Sequence, residues 1–241
     1  MPTESLVQVT GYPRIKWWAF APFALLTLVH LYALAAGNPK LASNTQSFLM
    51  IVLLFGYLLA APSGMWLAKL LGSLALLGSA LGDNSDLGGV QFLQGLAAFA
   101  FAHLAYLALF IWGLKFRMRN IRLWALGYLP LLGLVLLLVL PHAGSMQLPV
   151  IIYACLILLM AAVGTAGNRA IAFGAILFVI SDAILSLTLF IPDFHFWQSD
   201  LAIMFCYTIG QGLIICGATA WLWQREKRTS HSSLEEKMSK N

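Results

Sequence analysis

The segment RAIAFGAILFVISDAILSLTLFI occupies residues 169–191 and, after Arg169, contains a single charged residue, Asp182. A helix needs about 20 predominantly apolar residues to cross the hydrocarbon core of a bilayer. A helix of a soluble protein needs apolar residues on one side only, whereas this run is apolar on all sides. The segment therefore predicts a membrane-spanning helix that carries one buried carboxyl group.

Seven further runs meet the same length criterion. The predicted spans are 17–36, 45–61, 63–82, 91–113, 123–140, 148–163, 169–191 and 201–224. Pro62 alone separates the second run from the third, so one kinked hairpin and a total of seven spans remains an alternative. We predict an all-α, polytopic transmembrane helix bundle over residues 17–224, between an N-terminal tail (1–16) and a polar, disordered C-terminal tail (225–241).

The composition excludes an ordinary water-soluble protein. Of the 241 residues, 61% are hydrophobic and only 10% are charged, whereas soluble domains have roughly a quarter charged residues. All four glutamates lie in the two tails. The three cysteines sit singly inside apolar runs and form no disulfide or CxxC pattern. We find no basic face suited to nucleic acid, and we expect the bilayer itself to be the surrounding partner.

Lysine and arginine residues in the short loops predict the orientation. With the N-terminus inside, ten of these cations fall on the cytoplasmic side, and Lys40 is the one that falls outside. Even numbers of spans with both termini in the cytoplasm fit this pattern. An alternative is that the first run is a cleaved signal peptide ending near Ala35. The short loops favour a bacterial cytoplasmic membrane.

Two aspartates lie in or at the end of predicted spans, where an ionisable group is costly and usually faces the bundle interior. Asp182 lies roughly a dozen ångströms from the outer end of its span, at about 1.5 Å per residue. Asp83 follows Gly82 at the outer end of the third span, with Ser79 one turn earlier on the same face. The simpler alternatives are a protonated carboxyl that only bonds a neighbouring helix and a solvated loop carboxylate.

Other polar side chains recur on single helix faces. Phe99, His103 and Tyr106 follow one another at helical spacing in the fourth span. Tyr207 and Gln211 lie one turn apart in the eighth span, and Tyr153 lies early in the sixth. Each set could serve packing alone. Together they indicate a polar pocket enclosed by the bundle.

Several catalytic motifs are missing from the sequence. It has no HExxH, no Cys/His ligand cluster, no GxSxG elbow and no phosphate loop. Metal-dependent hydrolysis and serine acyl chemistry therefore have no support, and we expect neither a metal nor a cofactor.

Taken in order, these residues resemble the YhhN-like family of membrane proteins, whose animal members are known as lysoplasmalogenases. The family's third-span signature corresponds to Leu77-Gly-Ser-Ala-Leu-Gly-Asp83. The remaining matches are Gly95-Leu96, Phe99, His103 and Tyr106, then Pro149, Tyr153 and Met160, then Gly174-Ala175, Phe178 and Ser181-Asp182, and finally Tyr207, Gly210 and Gln211. The resemblance covers about residues 20–223.

The resemblance implies hydrolysis of the vinyl ether bond of lysoplasmalogens to a fatty aldehyde and a glycerophospho-base. Protonation of the alkene carbon requires an acid, and a carboxylate can stabilise the resulting cation or activate water. Asp182, the more deeply buried carboxyl, suits the acid role, and Asp83 suits the base or stabiliser role. The residues expected to bind substrate or support the carboxyls are His103, Tyr106, Tyr153, Ser181, Tyr207 and Gln211. In the outer loop, His195 and Trp197 are candidates for lining the entrance.

Two other functions remain open from the residues alone. One is a transporter or channel for a small lipid-like or cationic solute, with Asp182 as the proton or cation site. The other is a non-catalytic membrane protein in which the polar groups only hold the helices together. A single-chain lysophospholipid is the expected partner under the enzymatic interpretation, and the sequence predicts no oligomeric state.

Overall fold

The structure, a computed structural model, describes residues 15–85, 91–194 and 198–239. Every regular element within those ranges is helical. The α-helices are α1 (Ala21–Ala35), α2 (Pro39–Ala60), α3 (Trp66–Asp83), α4 (Phe92–Ala108), α5 (Tyr128–Val139), α6 (Gln147–Gly164), α7 (Arg169–Phe190) and α8 (Ser199–Ser239). Short 3-10 turns precede α1 and flank α5, and a single π-turn, Leu109–Gly113, continues α4. The predicted all-α membrane fold is confirmed.

Seven of the described helices are long and apolar enough to cross a membrane, and α3 is the one α-helix outside this group. It is 18 residues long and includes Lys69 and Asp83, which lower its mean hydropathy. The helix nevertheless runs alongside two full spans. The Tyr57 hydroxyl of α2 donates to the Ala68 carbonyl at one end of α3 (2.7 Å), and the Gln46 amide donates to the Asp83 carbonyl at the other (3.2 Å).

The opposite side of α3 packs against α4 in the same antiparallel way. Gly82 lies against the Phe99 ring, and the Gly113 region at the far end of α4 lies against Ala68. Outward-facing leucines, among them Leu70 and Leu81, give α3 an exposed apolar side suited to lipid. Because α3 extends between the same two levels as α2 and α4, we count it as the eighth crossing.

Helices α7 and α8 are the most closely packed pair because two glycines face each other. A Cβ added at Gly174 would lie 2.6 Å from the Gly210 carbonyl oxygen, and one at Gly210 would lie 2.9 Å from the Gly174 oxygen. Small residues allow membrane helices to approach at backbone distance, where dispersion and weak hydrogen bonds replace the hydrophobic effect. This approach holds Asp182 of α7 and Tyr207 of α8 at neighbouring levels.

Two boundaries differ from the sequence predictions for identifiable reasons. Helix α2 begins at Pro39, six residues earlier than expected, because proline suits the first helical position and the Asn38 side chain caps the helix by accepting from the Leu41 amide (3.1 Å). The tail after Arg225, predicted to be disordered, instead continues α8 to Ser239. A helix that already exists needs no new nucleus, and this tail is rich in Glu, Lys and Arg, which propagate helices well.

Some sequence predictions concern residues outside the described ranges. These are His195 and Trp197 at the expected entrance, and most of the N-terminal tail. We call the end of the bundle that carries Asp83 the outer end, and the end that carries residues 114–122 the inner end, following the predicted orientation.

Candidate functional site

The two aspartates selected from the sequence line one cavity in the outer half of the bundle. The cavity has a volume of about 200 Å³ and lies between α2, α3, α4, α7 and α8. Asp83 and Asp182 contribute its carboxyl groups, and the other lining residues are Gln46, Gly82, Ser85, Phe99, Ser181, Leu185, Ile203, Met204 and Tyr207. Both carboxyl groups therefore face the same enclosed space.

Asp182 is held by a chain of two further polar side chains. The Tyr153 hydroxyl of α6 donates a hydrogen bond to Asp182 Oδ2. The same hydroxyl lies 3.1 Å from His103 Nε2 of α4, and that nitrogen lies 3.9 Å from Asp182 Oδ2. The His103 side chain is fully buried, whereas 14% of the Asp182 side chain is exposed. Three helices therefore fix one carboxyl group whose remaining surface faces open space.

Asp83 is held from α8. The Tyr207 hydroxyl donates to Asp83 Oδ2 at 3.0 Å, and the Gln46 amide donates to the Asp83 backbone carbonyl. Tyr207 lies eight residues after the start of α8, and Asp182 lies eight residues before the end of α7. At about 1.5 Å per residue, both are about 12 Å from the outer ends of their helices. The Asp83 carboxyl therefore accepts its hydrogen bond from Tyr207 at the same depth in the bundle as Asp182.

Aromatic rings separate the polar groups and fix their orientations. The Phe178 ring packs edge-on against His103 (ring centroids 4.9 Å apart) and against Tyr207 (5.4 Å). Phe99 packs edge-on against Tyr207 from the opposite direction (6.3 Å). Edge-to-face pairs of this kind stabilise a specific ring geometry beyond their burial. Phe178 thus fixes the relative positions of His103, which supports Asp182, and Tyr207, which supports Asp83.

A second polar cluster lies deeper and is linked to Asp83 through Tyr207. Tyr106 donates to the Gln211 amide oxygen, and the Gln211 amide nitrogen donates to Ser79 Oγ (2.9 Å). All three residues are fully buried. Tyr106 and Gln211, which the sequence predicts to support the carboxyls, join α3, α4 and α8 beneath the cavity, and the Gln211 side chain also bonds Tyr207, the phenol that donates to Asp83.

Ser181 and Gln46 are two further polar residues that line the cavity. Ser181 lines the cavity, but its hydroxyl donates to the Ile203 carbonyl of α8 (3.0 Å), so its described contact joins two helices. Gln46 was not selected from the sequence. Its polar amide side chain within the second span could have indicated a role. Because the span is predicted to begin only at residue 45, Gln46 looked like a residue at the edge of a loop.

We expect Gln211→Leu to lower the thermal stability of the detergent-purified protein without removing its activity entirely. The substitution leaves the Tyr106 hydroxyl and the Ser79 hydroxyl without their partner, at a cost of about 1–3 kcal/mol for each buried group. Thermal unfolding measures the effect. Gln224→Leu, on an exposed position of the same helix, is the matched control and leaves the midpoint unchanged. An unaltered midpoint for Gln211→Leu contradicts a structural role for this cluster.

The polar groups of the cavity are suited to proton transfer. Among the residues that the structure describes, no three His, Cys, Asp or Glu side chains are grouped closely enough to hold a metal ion. Two carboxyls in different settings, one with a phenol and an imidazole and one with a phenol, are suited to acid and base roles. The fold and the site define a polytopic helical membrane protein with a pair of carboxyl groups enclosed in its bundle.

Comparison with known proteins agrees with this class. The family model described as the YhhN family matches residues 43–218, and the chain belongs to that family. The chain is 33% identical to lysoplasmalogenase TMEM86B of Homo sapiens over 186 residues, which is 70% of this chain and 72% of that protein. It is 30% identical to the Rattus norvegicus protein of the same name, over 86% of each, and 31% identical to that of Mus musculus, over 90% of this chain and 93% of that protein. No solved structure matches the chain.

Proposed function

We propose that this protein is a membrane-embedded ether-lipid hydrolase that cleaves the vinyl ether bond of lysoplasmalogens. Its products are a fatty aldehyde and a glycerophospho-base. The observation that carries the proposal is the placement of Asp83 and Asp182 on one cavity within the membrane. The names of the relatives, which cover most of this chain, support the same reaction.

In the proposed mechanism, Asp182 is the general acid. It donates its proton to the alkene carbon on the chain side of the vinyl ether, and the ether oxygen shares the resulting positive charge as an oxocarbenium ion. Asp83, as carboxylate, stabilises this cation and then takes a proton from the attacking water. The hemiacetal so formed collapses to the aldehyde and the free alcohol. Paired carboxyls divide the same roles in glycoside hydrolysis, which passes through a similar cation.

The neighbouring side chains position the two carboxyls. Tyr153 occupies Oδ2 of Asp182, and we assign the transferable proton to the other oxygen of that carboxyl. His103 fixes Tyr153, and Tyr207 fixes Asp83. Tyr106, Gln211 and Ser181 maintain the helix spacing around the cavity. Positioning of this kind matters because proton transfer requires hydrogen-bond reach between the acid and the accepting atom.

The location of the protein is part of the proposal. It is an integral, multi-pass membrane protein, and we assign it to a bacterial cytoplasmic membrane with both termini inside, on the basis of its short loops and its cation distribution. The cavity then faces the outer half of the bilayer. A lysophospholipid can reach it without leaving the membrane, because its headgroup stays at the level of the interface.

The decisive experiment measures aldehyde release by detergent-purified protein. We expect turnover of a lysoplasmenyl lipid and no turnover of the saturated ether lysolipid with the same chain and headgroup, because only the vinyl ether forms an oxocarbenium ion on protonation. Release from neither lipid overturns the proposal and favours a transporter that uses Asp182 as a proton site. Equal release from both contradicts the mechanism.

A further inference from the structure

An apolar groove runs between α5, α6 and α7 and reaches Asp182 along a different face of α7 from the polar cavity. Leu131, Val135 and Leu136 line it from α5, and Ile157 and Val179 are among its residues from α6 and α7. Its polar groups are Tyr153 and Asp182, which bond each other, and Ser186, which bonds the Ala183 carbonyl of its own helix. The groove therefore offers a hydrocarbon surface that ends at one carboxyl group.

The groove continues toward the inner end of the bundle. A second apolar cleft, between α6 and residues 121–132, shares Leu132 and Leu158 with the first. It extends along α6 to Ala162. From Tyr153 to Ala162 the path follows α6 for about 13 Å, at about 1.5 Å per residue. Such a long and narrow apolar surface suits an extended hydrocarbon chain better than a compact solute.

Asp182 is the point where this groove and the polar cavity meet. It lines both spaces, whereas Asp83 lines only the polar cavity. A lysoplasmalogen has the same division, because its vinyl ether joins a hydrocarbon chain to a polar glycerol. The carbon that accepts the proton is on the chain side of the ether oxygen. An acid at the mouth of an apolar groove and a second carboxyl on the polar side match that order of atoms.

We propose that the groove between α5, α6 and α7, with its continuation to Ala162, binds the hydrocarbon chain of the substrate and sets the preferred chain length. This inference rests on the proposed function for the identity of the chain. It fixes the direction of the substrate: the glycerophospho-base lies on the Asp83 side of Asp182 and extends toward the outer end, and the chain end points toward the inner end. The vinyl ether is thereby placed against Asp182.

Two substitutions, one near Asp182 and one further along the groove, test whether the groove holds the substrate chain. Ala154→Phe fills the groove next to Tyr153, and Ala162→Phe fills it eight residues, or about 12 Å, further along α6. We expect Ala154→Phe to reduce kcat/KM for medium and long chains by about tenfold or more, because each displaced methylene group loses its burial. Ala162→Phe reduces kcat/KM only for the longest chains. Retained turnover of short-chain lipid shows that each variant is folded.

The matched control is Ile152→Phe, on the same helix but 58% exposed and outside the lining of both the groove and its continuation. Its chain-length profile stays that of the unmodified protein. The inference is overturned if Ala154→Phe and Ala162→Phe also keep that profile while the unmodified protein cleaves the vinyl ether. In that case the proposed function stands and the chain lies elsewhere.

A binding measurement separates failure of the inference from failure of the function. The probe is an uncleavable saturated ether lysolipid with a photoreactive diazirine at the end of its chain, crosslinked to the purified protein and mapped by mass spectrometry. Labels on α6 between Ala154 and Ala162, or on the part of α5 that faces this stretch, support the groove even if no lysoplasmenyl lipid is cleaved. Labels confined to residues outside the groove and its continuation overturn it.

Discussion

Replacing Asp182 by asparagine is expected to lower kcat for aldehyde release by about 10³-fold, within the range of about 10²–10⁴ that general acid catalysis contributes. The substituted side chain has the same shape and still accepts the Tyr153 hydrogen bond through its carbonyl oxygen. It has no proton acidic enough to transfer to a carbon atom. We therefore expect KM to change little, because the groove and the cavity keep their walls.

The control for this variant is Asp200→Asn, which removes the same charge from an exposed position in the first turn of α8. It leaves kcat unchanged. Asp182→Asn with near-normal turnover contradicts the assignment of Asp182 as the acid. A loss of both activity and thermal stability points instead to a carboxyl that holds α6 and α7 together, which is the structural alternative that the sequence leaves open.

The membrane fold could be predicted from the sequence because the bilayer imposes a simple rule on length and hydropathy. Runs such as residues 169–191 satisfy that rule without reference to any other helix. The third helix was harder, since Lys69 and Asp83 make it barely apolar. What identifies it as a crossing is its packing against α2 and α4 along its length, and a local hydropathy pattern contains no such information.

The candidate site was predictable only in part. Buried polar side chains in apolar runs are conspicuous, which is why Asp182, His103 and Tyr207 could be selected from the sequence. Their pairing depends on how far each helix is rotated about its axis. The sequence therefore could not show that Tyr106, Gln211 and Ser79 bond one another, nor that Tyr153 connects His103 to Asp182.

The apolar groove was not predictable for a related reason. Its lining comes from residues of three helices that look like ordinary lipid-facing positions, such as Leu131 and Ala154. A leucine that faces lipid and one that faces a substrate chain satisfy the same hydrophobic requirement. Only the arrangement of α5 beside α6 and α7 distinguishes them.

Asp83→Asn is expected to lower kcat by about 10²-fold or more, because the substrate cation loses its countercharge and the water loses its base. Asparagine still accepts from the Tyr207 hydroxyl, so the link between α3 and α8 persists. Aldehyde release by purified protein measures the loss. The test is extended by a tyrosine variant, Tyr207→Phe. Its control is Tyr32→Phe on α1, at a position that is 70% exposed.

Tyr207→Phe removes the hydrogen bond to Asp83 and leaves the aromatic packing against Phe178 in place. Alone, it is expected to lower kcat about tenfold, since a hydrogen bond to a charged group contributes about 1.5–3 kcal/mol. In the Asp83→Asn background it should cost much less, because its catalytic effect acts through the carboxylate. Additive losses in the double variant contradict that dependence and assign Tyr207 a separate contact with the substrate.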